Sequence, residues 1–304
     1  MGSKSEKEND TLGNRLKGYE AVSTSRTLPA NLPIYARIDG RAFHSFCRGL
    51  EKPFSRAFIE AMQKTCAYLV EETGAILGYV QSDEISLGWK DSAHCPFNGR
   101  VQKLESNIAS LASGFFVFFI SEQVRNHVPI YDYCQIGRNM LRKIPSFDCR
   151  VFTVPDMEEL ANCFLWREND AIKNSITGMA SYWYSHNELQ GKNSDEKIRM
   201  MKEKGHDFYE ETYEPFMRGT FLSRENYVKL LTDEELNKIP SEKRESCGVF
   251  WDEEHLQYAC IRRRVAQLMI PYRLTDISNK CAVLFERANA EKNKENVTFT
   301  IATF

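Results

Sequence analysis

Two short acidic segments carry the residue types best suited to chemistry in this chain. One is Asp39-Gly40, which ends an apolar run, and the other is Ser82-Asp83-Glu84, which lies between two alternating runs. Two carboxylates a few ångströms apart repel each other unless a cation neutralises them. Mg²⁺ binds carboxylate, carbonyl and phosphate oxygens, and a pair of such ions can activate an attacking oxygen and stabilise a leaving pyrophosphate. Each segment alone is an ordinary turn, so a metal site requires a fold that brings Asp39 and Asp83 together.

The loop after Asp39 has features suited to phosphate binding. Gly40 permits close approach of the backbone to a ligand, and successive N–H groups of such a loop can form an anion-binding nest. Arg41, His44 and Lys52 supply positive charge nearby. The segment therefore indicates a phosphate-bearing ligand beside the aspartates.

Hydrophobic periodicity predicts the elements that position these segments. Residues 34–39 are typical of a buried strand, and residues 75–90 alternate as in a hairpin with Asp83 in its turn. Between them, apolar residues at helical spacing follow Ser55, a favourable N-cap, and stop before Gly74, a favourable C-cap. The acidic segments thus lie at the ends of strands.

A second helical stripe and a strand at 149–154 complete the order strand, helix, strand, strand, helix, strand. That order is the split βαβ arrangement of a ferredoxin-like sheet, in which the third strand lies between the first two. The end of the first strand then lies beside the turn joining the second and third, and adjacent strands are about 4.8 Å apart. We therefore expect Asp39 and Asp83 to converge at one edge of the sheet.

The chain changes character near Pro155, beyond which charged segments with helical spacing dominate. The predicted helices lie at 157–165, 170–186, 194–204 and 223–237, and 258–269 is predicted as either strand or helix. We expect an α+β protein with a ferredoxin-like, palm-type βαββαβ sheet. Its parts are a disordered leader over 1–10, a catalytic palm over 11–156 and a mainly helical domain over 157–304.

Composition narrows the classes of protein. The net charge of −2 over 304 residues includes no basic arm that would indicate a polyanion partner. The nine cysteines are scattered, which argues against a zinc ribbon or a thioredoxin-type pair and favours a reducing compartment. No uninterrupted apolar run approaches the roughly 18 residues of a membrane span. We expect a cytoplasmic protein without a membrane partner.

Several motifs in this sequence resemble those of the tRNA-histidine guanylyltransferase family. They are Leu12-Gly13-Asn14-Arg15-Leu16-Lys17-x-Tyr19-Glu20, Asp39-Gly40-Arg41-x-Phe43-His44-x-Phe46, Lys52-Pro53, Gln81-Ser82-Asp83-Glu84, Phe147-Asp148-Cys149-Arg150, Trp166-Arg167-x-x-Asp170-x-x-x-Asn174 and Met217-Arg218-Gly219-Thr220. The resemblance extends over residues 12–220, and the combination of motifs is specific.

The resemblance implies a polymerase-like palm that adds nucleotides to the 5′ end of tRNA, in the 3′-to-5′ direction. A 5′ monophosphate is activated with ATP or GTP, and the 3′ hydroxyl of an incoming nucleoside triphosphate then attacks it. By matching positions, two Mg²⁺ ions bind Asp39, the Gly40 carbonyl and Asp83, and the catalytic set is Asp39, Asp83 and Glu84. The implied nucleotide-binding set is Asp39, Gly40, Arg41, Ala42, Phe43, His44, Lys52, Ser82, Asp83 and Glu84.

The second half is implied to contact tRNA, with Arg167, Asn174 and Arg218 as the predicted RNA-binding residues. The resemblance also implies a homo-tetramer or dimer.

One departure bears on the substrate. Members that act on histidine tRNA carry a His-Ile-Asn-Asn motif, whereas residues 172–175 are Ile-Lys-Asn-Ser. This resembles the guanylyltransferase-like branch, which fills in 5′-truncated tRNAs using the opposite strand as template. Three alternatives stay open: strict addition of one guanosine to histidine tRNA, nucleotide cyclisation by a palm, and a nucleotide-sensing or RNA-binding module with this fold.

Overall fold

A seven-stranded antiparallel sheet positions the acidic segments. The computed structural model describes residues 11–126, 130–270 and 272–286. The strands are β1 (Ile34–Gly40), β2 (Leu77–Gln81), β3 (Glu84–Trp89), β4 (Phe147–Thr153), β5 (Thr220–Leu230), β6 (Val249–Asp252) and β7 (Gln257–Gln267). The α-helices are α1 (Thr11–Thr24), α2 (Phe43–Phe46), α3 (Arg56–Thr73), α4 (Val101–Asn126), α5 (Ile130–Arg142), α6 (Met157–Trp183), α7 (His186–Leu189), α8 (Ser194–Glu203), α9 (Phe208–Glu211), α10 (Glu214–Arg218) and α11 (Asp233–Asn237).

The first four strands form the predicted ferredoxin-like palm. Their order is β4-β1-β3-β2, and each neighbouring pair is antiparallel. In the centre, Ile38 of β1 lies opposite Ile85 of β3 and Cys149 of β4. Because α3 connects β1 to β2 and α4 connects β3 to β4, the predicted βαββαβ order is confirmed.

Helix α3 begins and ends where its sequence predicts. The Ser55 hydroxyl accepts a hydrogen bond from the Phe58 N–H at 3.4 Å, and Gly74, with a φ of 70°, provides the left-handed C-cap. Met62 and Leu69 lie on its buried face. Fully burying a side chain of this size contributes about 1.5–3 kcal/mol to stability. The helix therefore packs on β2, β5 and β7 from one face of the sheet.

Helix α4 packs beside α3 on that face. Val101–Glu122 is long and apolar enough to cross a membrane, judged by length and composition. However, Leu104, Ile108 and Phe116 are at most 1% exposed and belong to the main core cluster. One face of α4 therefore packs in the core of this fold, and 33% of its apolar window is buried.

Helix α6 covers the opposite face of the sheet. Asp156 caps it by accepting a hydrogen bond from the Glu159 N–H at 2.9 Å. Phe164 packs so closely on β3 that a Cβ added at Gly88 would lie 3.2 Å from its ring. The helices predicted separately at 157–165 and 170–186 form one continuous helix, α6. Residues 166–169 contain neither glycine nor proline, so nothing interrupts the helix there.

The prediction of a separate, mainly helical second domain is wrong at its boundary. Strand β5 lies beside β2, with Thr220 opposite Val80 and Leu222 opposite Gly78, so the palm sheet continues into the second half. The predicted helix at 223–237 is also wrong, because β5 extends to Leu230 and only Asp233–Asn237 is helical. Residues 223–230 form a strand because β5 pairs with β2 on one side and with β7 on the other. The segment 258–269, predicted as strand or helix, forms most of β7, whereas the predicted leader lies outside the described residues.

Candidate active site

Asp39 and Asp83 converge at one edge of the sheet, as the topology predicts. Asp39 lies opposite Glu84 in the register of β1 and β3. The Gly40 N–H donates a hydrogen bond to the Asp83 carbonyl at 3.0 Å. Residues 43 positions apart in sequence, Gly40 and Asp83, are thus joined directly through their backbones.

Gly40 is required by this close approach. A Cβ at this position would lie 2.5 Å from Cδ2 of Phe43 and 2.9 Å from the Cβ of Asp83. Carbon atoms pack favourably at about 3.5–4.0 Å. Any larger residue would therefore push the loop away from the turn that carries Asp83.

The loop after β1 exposes cations while its aromatic residues anchor it. Ala42 adopts a left-handed conformation with a φ of 58°, and α2 follows directly. Phe43 and Phe46 are 2% and 4% exposed. Arg41 and His44 are exposed beside them. The loop therefore presents positive charge to solvent next to the two aspartates.

The β2–β3 turn holds Asp83 in a half-buried position. Ser82 has a φ of 46°, and its hydroxyl donates to Oδ1 of Asp83 at 3.1 Å. Burial raises the pKa of Asp83 above its ordinary value and the charge of Asp39 raises it further, whereas hydrogen bonds and His44 act in the opposite direction. A bound cation would relieve this cost, because it stabilises the charged form.

Glu84 faces the protein interior. The Nε of Arg167 donates to Oε1 of Glu84 at 2.5 Å, and the Nε of Arg37 lies 4.0 Å from Oε2. Burial raises the pKa of Glu84 and Arg167 lowers it. Glu84, predicted as catalytic, is thus held in a buried ion pair with α6.

The donor set for a metal is small. Among the described residues, no three His, Cys, Asp or Glu side chains are grouped as ligands. A cation at this edge would depend on Asp39, Asp83, the Gly40 carbonyl and oxygens from a ligand. This set suits Mg²⁺, which commonly takes one or two carboxylates and completes its shell with water and phosphate.

A cavity of about 200 Å³ lies beside the β2–β3 turn. Lys52 and Ser82, both in the predicted nucleotide-binding set, contribute to its lining. The other lining residues come from the segment 47–55 and from α3, β2, α6 and α10, and the apolar ones include Phe58, Met62 and Phe216. Sequence reasoning missed this cavity because its walls are distant in sequence. An apolar slot beside charged groups suits a nucleobase next to its phosphates.

The three predicted RNA-binding residues have different environments. Arg167 and Arg218 are each 7% exposed, and both guanidinium groups bind carboxylates inside the protein, which disfavours the predicted RNA contacts. Arg218 donates to Glu168 at 2.6 Å, and the Leu274 N–H donates to the same carboxylate at 2.7 Å. Asn174 is exposed and lines the cavity.

The ferredoxin-like sheet with two aspartates at its edge places the protein among palm-like enzymes. Residues 13–155 match the family of tRNA-His guanylyltransferases. A bacterial guanylyltransferase-like protein, solved in complex with ATP, is 31% identical, with a TM-score of 0.59 over 70% of this chain and 88% of that one. The chain belongs to the tRNA-His guanylyltransferase family.

Two further comparisons agree. A bacterial guanylyltransferase-like structure in complex with GTP is 30% identical, with a TM-score of 0.54, and the match covers 71% of this chain and 86% of that one. The tRNA(His) guanylyltransferase of Schizosaccharomyces pombe is 31% identical over 171 residues, which is 55% of this chain and 59% of the relative.

Proposed function

We propose that this protein is a Mg²⁺-dependent nucleotidyltransferase that adds nucleotides to the 5′ end of tRNA in the 3′-to-5′ direction. The observation that carries the proposal is the junction of Asp39 and Asp83 through the hydrogen bond between Gly40 and Asp83. Exposed cations and the neighbouring cavity support a nucleoside triphosphate as ligand. The complexes of similar proteins with ATP and GTP support the same ligand class.

Each residue of the site has a part in this proposal. Asp39, Asp83 and the Gly40 carbonyl would hold Mg²⁺, which supplies charge neutralisation for phosphate oxygens and activation of the attacking hydroxyl. Arg41 and His44, exposed on the loop, would bind phosphate oxygens. Lys52, at the cavity, would orient the triphosphate so that the base enters the apolar slot.

Templated repair of truncated tRNA is favoured over strict guanosine addition. At the position where relatives acting on histidine tRNA carry a histidine, Ile172 is only 7% exposed and packs with Ile176 and Met179. An isoleucine side chain has no polar group to read an RNA base. The choice of nucleotide would then rest on pairing with the opposite strand of the acceptor stem.

We also propose that the protein assembles as a homodimer or homotetramer. Helix α1 has no buried residue, and Leu12, Leu16 and Tyr19 lie on one side of it, each more than half exposed. Large apolar side chains exposed together on one side of a helix are suited to burial against a partner. Sedimentation of the full chain, with Leu16→Glu as the matched variant, tests this.

The function is tested with purified protein, Mg²⁺, all four nucleoside triphosphates and tRNA lacking its first nucleotide. Acceptor stems with each of the four opposing bases are compared, and Asp39→Asn is the inactive control. Addition that follows the opposing base supports templated repair. Guanosine addition restricted to histidine tRNA supports the narrower activity instead. If no RNA is extended while ATP or GTP still binds, the proposal is wrong and a nucleotide sensor is favoured.

A further inference from the structure

Three carboxylates lie in a row across the palm sheet at the candidate site. Asp39 of β1 is opposite Glu84 of β3 on one side and opposite Asp148 of β4 on the other. Residues directly opposite in antiparallel strands have their side chains on the same face, and like charges in such pairs are destabilising. Asp83 in the adjacent turn adds a fourth negative charge.

The two outer carboxylates of the row have arginine partners, whereas the central one does not. Arg167 donates to Glu84 at 2.5 Å, and Arg150 lies 3.4 Å from Asp148. Among the described residues, the Asp39 side chain has no hydrogen-bond or ion-pair partner. The distribution of arginines thus leaves Asp39 and Asp83 as the carboxylates able to bind a cation.

The Arg167–Glu84 pair is the more tightly built of the two. Its side chains are 8% and 9% exposed, whereas those of Arg150 and Asp148 are more than half exposed. The guanidinium also donates to Asp170 at 2.8 Å and lies 4.6 Å from the centre of the Trp166 ring. A buried guanidinium with two carboxylate partners and a stacked ring has a fixed orientation.

We propose that Arg167 is a positioning residue, which holds Glu84 towards α6 and so keeps this carboxylate from competing with Asp39 and Asp83 for Mg²⁺. The proposal rests on the function proposed above. Without Arg167, the buried Glu84 carboxylate keeps only the more distant Arg37, 4.0 Å away, and binding a cation at the site compensates for the lost partner. The metal then binds with an additional ligand in a non-productive geometry.

The test compares Arg167→Met, Glu84→Gln and the double variant in the full-length protein. Two quantities are measured: Mn²⁺ affinity without nucleotide, from the free-ion electron paramagnetic resonance signal, and the single-turnover rate of nucleotide addition. We expect Arg167→Met to bind Mn²⁺ several-fold more tightly and to lose about 10²-fold in rate, because misplacement of the reacting groups by about 1 Å has an effect of that size. The KM for tRNA should be unchanged.

The double variant distinguishes positioning from a merely structural role. Since Glu84→Gln removes the competing charge, the double variant should return to wild-type Mn²⁺ affinity and regain at least tenfold in rate over Arg167→Met. Arg264→Met removes another arginine–carboxylate pair, 2.7 Å from Glu225 in β5, and should leave rate and affinity unchanged. If Arg167→Met does not fold, Arg167→Lys, which keeps the charge but not the two-pronged geometry, is expected to show a smaller change in the same direction.

Three outcomes overturn the inference. They are unchanged Mn²⁺ affinity in Arg167→Met, a double variant no faster than Arg167→Met, and a raised KM for tRNA at unchanged kcat, which indicates an RNA contact. Failure of the proposed function is recognised separately, because the wild-type protein is then inactive while the Mn²⁺ comparison still reports on Arg167.

Discussion

Substitution of Gly40 by alanine should damage the site through one methyl group. The added Cβ would lie 2.5 Å from Cδ2 of Phe43, so a separation of about 1 Å must be created to reach an ordinary contact. Phe43 cannot yield easily, because its ring is surrounded by aromatic rings with centroids 4.9–6.0 Å away. The alternative is displacement of the turn that carries Asp83, whose Cβ would be 2.9 Å from the new atom.

Both routes have measurable consequences. Overpacking of a core costs about 1–3 kcal/mol of stability. A shift of about 1 Å in a catalytic group lowers the rate by about 10²-fold. We therefore expect Gly40→Ala to lower the melting temperature and to reduce the single-turnover rate of nucleotide addition by about two orders of magnitude.

Gly114→Ala provides the matched control. Gly114 lies in α4 with no atom within 4 Å of an added Cβ, so alanine should raise stability by up to about 1 kcal/mol without changing the rate. Thermal unfolding and the nucleotide-addition assay are run on both variants. A Gly40→Ala protein with wild-type rate and stability would refute the argument from close approach.

Further predictions concern the aspartates and the loop. Asp39→Asn should lower the rate of nucleotide addition by several orders of magnitude, while tRNA binding persists in a filter assay. Lys52→Ala should lower the rate less. A rate in Asp39→Asn within about tenfold of the wild type contradicts the assignment of Asp39 as a metal ligand. Burial raises the pKa of Asp83 in the folded protein. At pH values above that raised pKa, the ionised Asp83 side chain therefore destabilises the folded state. The destabilisation disappears as the pH falls below the ordinary carboxyl pKa of about 3.9. Asp83→Asn should therefore raise the melting temperature at pH 7 without divalent ions but not near pH 3, and Mg²⁺ should stabilise the wild type more than the variant. Ala42→Gly should increase stability by up to about 1 kcal/mol, since the φ of 58° favours glycine; a loss measured by denaturant unfolding contradicts this.

The palm could be predicted from the sequence because its local signals agree with its topology. Ser55 and Gly74 mark the ends of α3, and the alternating residues around Asp83 mark a hairpin. Once the order of elements is recognised, the convergence of Asp39 and Asp83 follows from the fold. Local chemistry and global arrangement point to the same structure here.

The remainder could not be predicted because it depends on contacts distant in sequence. Residues 223–230 contain charged residues at a spacing compatible with a helix, and only pairing with β2 and β7 makes them a strand. Likewise, Arg167 lies in a charged segment with helical spacing, and this pattern predicts an exposed side chain. Its burial becomes evident only when α6 is placed over Glu84.

The place of β5 beside β2 determines where this chain can be divided. A fragment ending at residue 156 would keep every strand of the palm and both aspartates, but the edge of β2 that pairs with β5 would be bare. An unprotected edge with buried-type residues such as Tyr79 and Val80 is a template for association with other chains. Residues 11–156 are therefore not expected to be soluble when they are expressed alone. A chimeric or fusion protein that contains the palm should also contain β5.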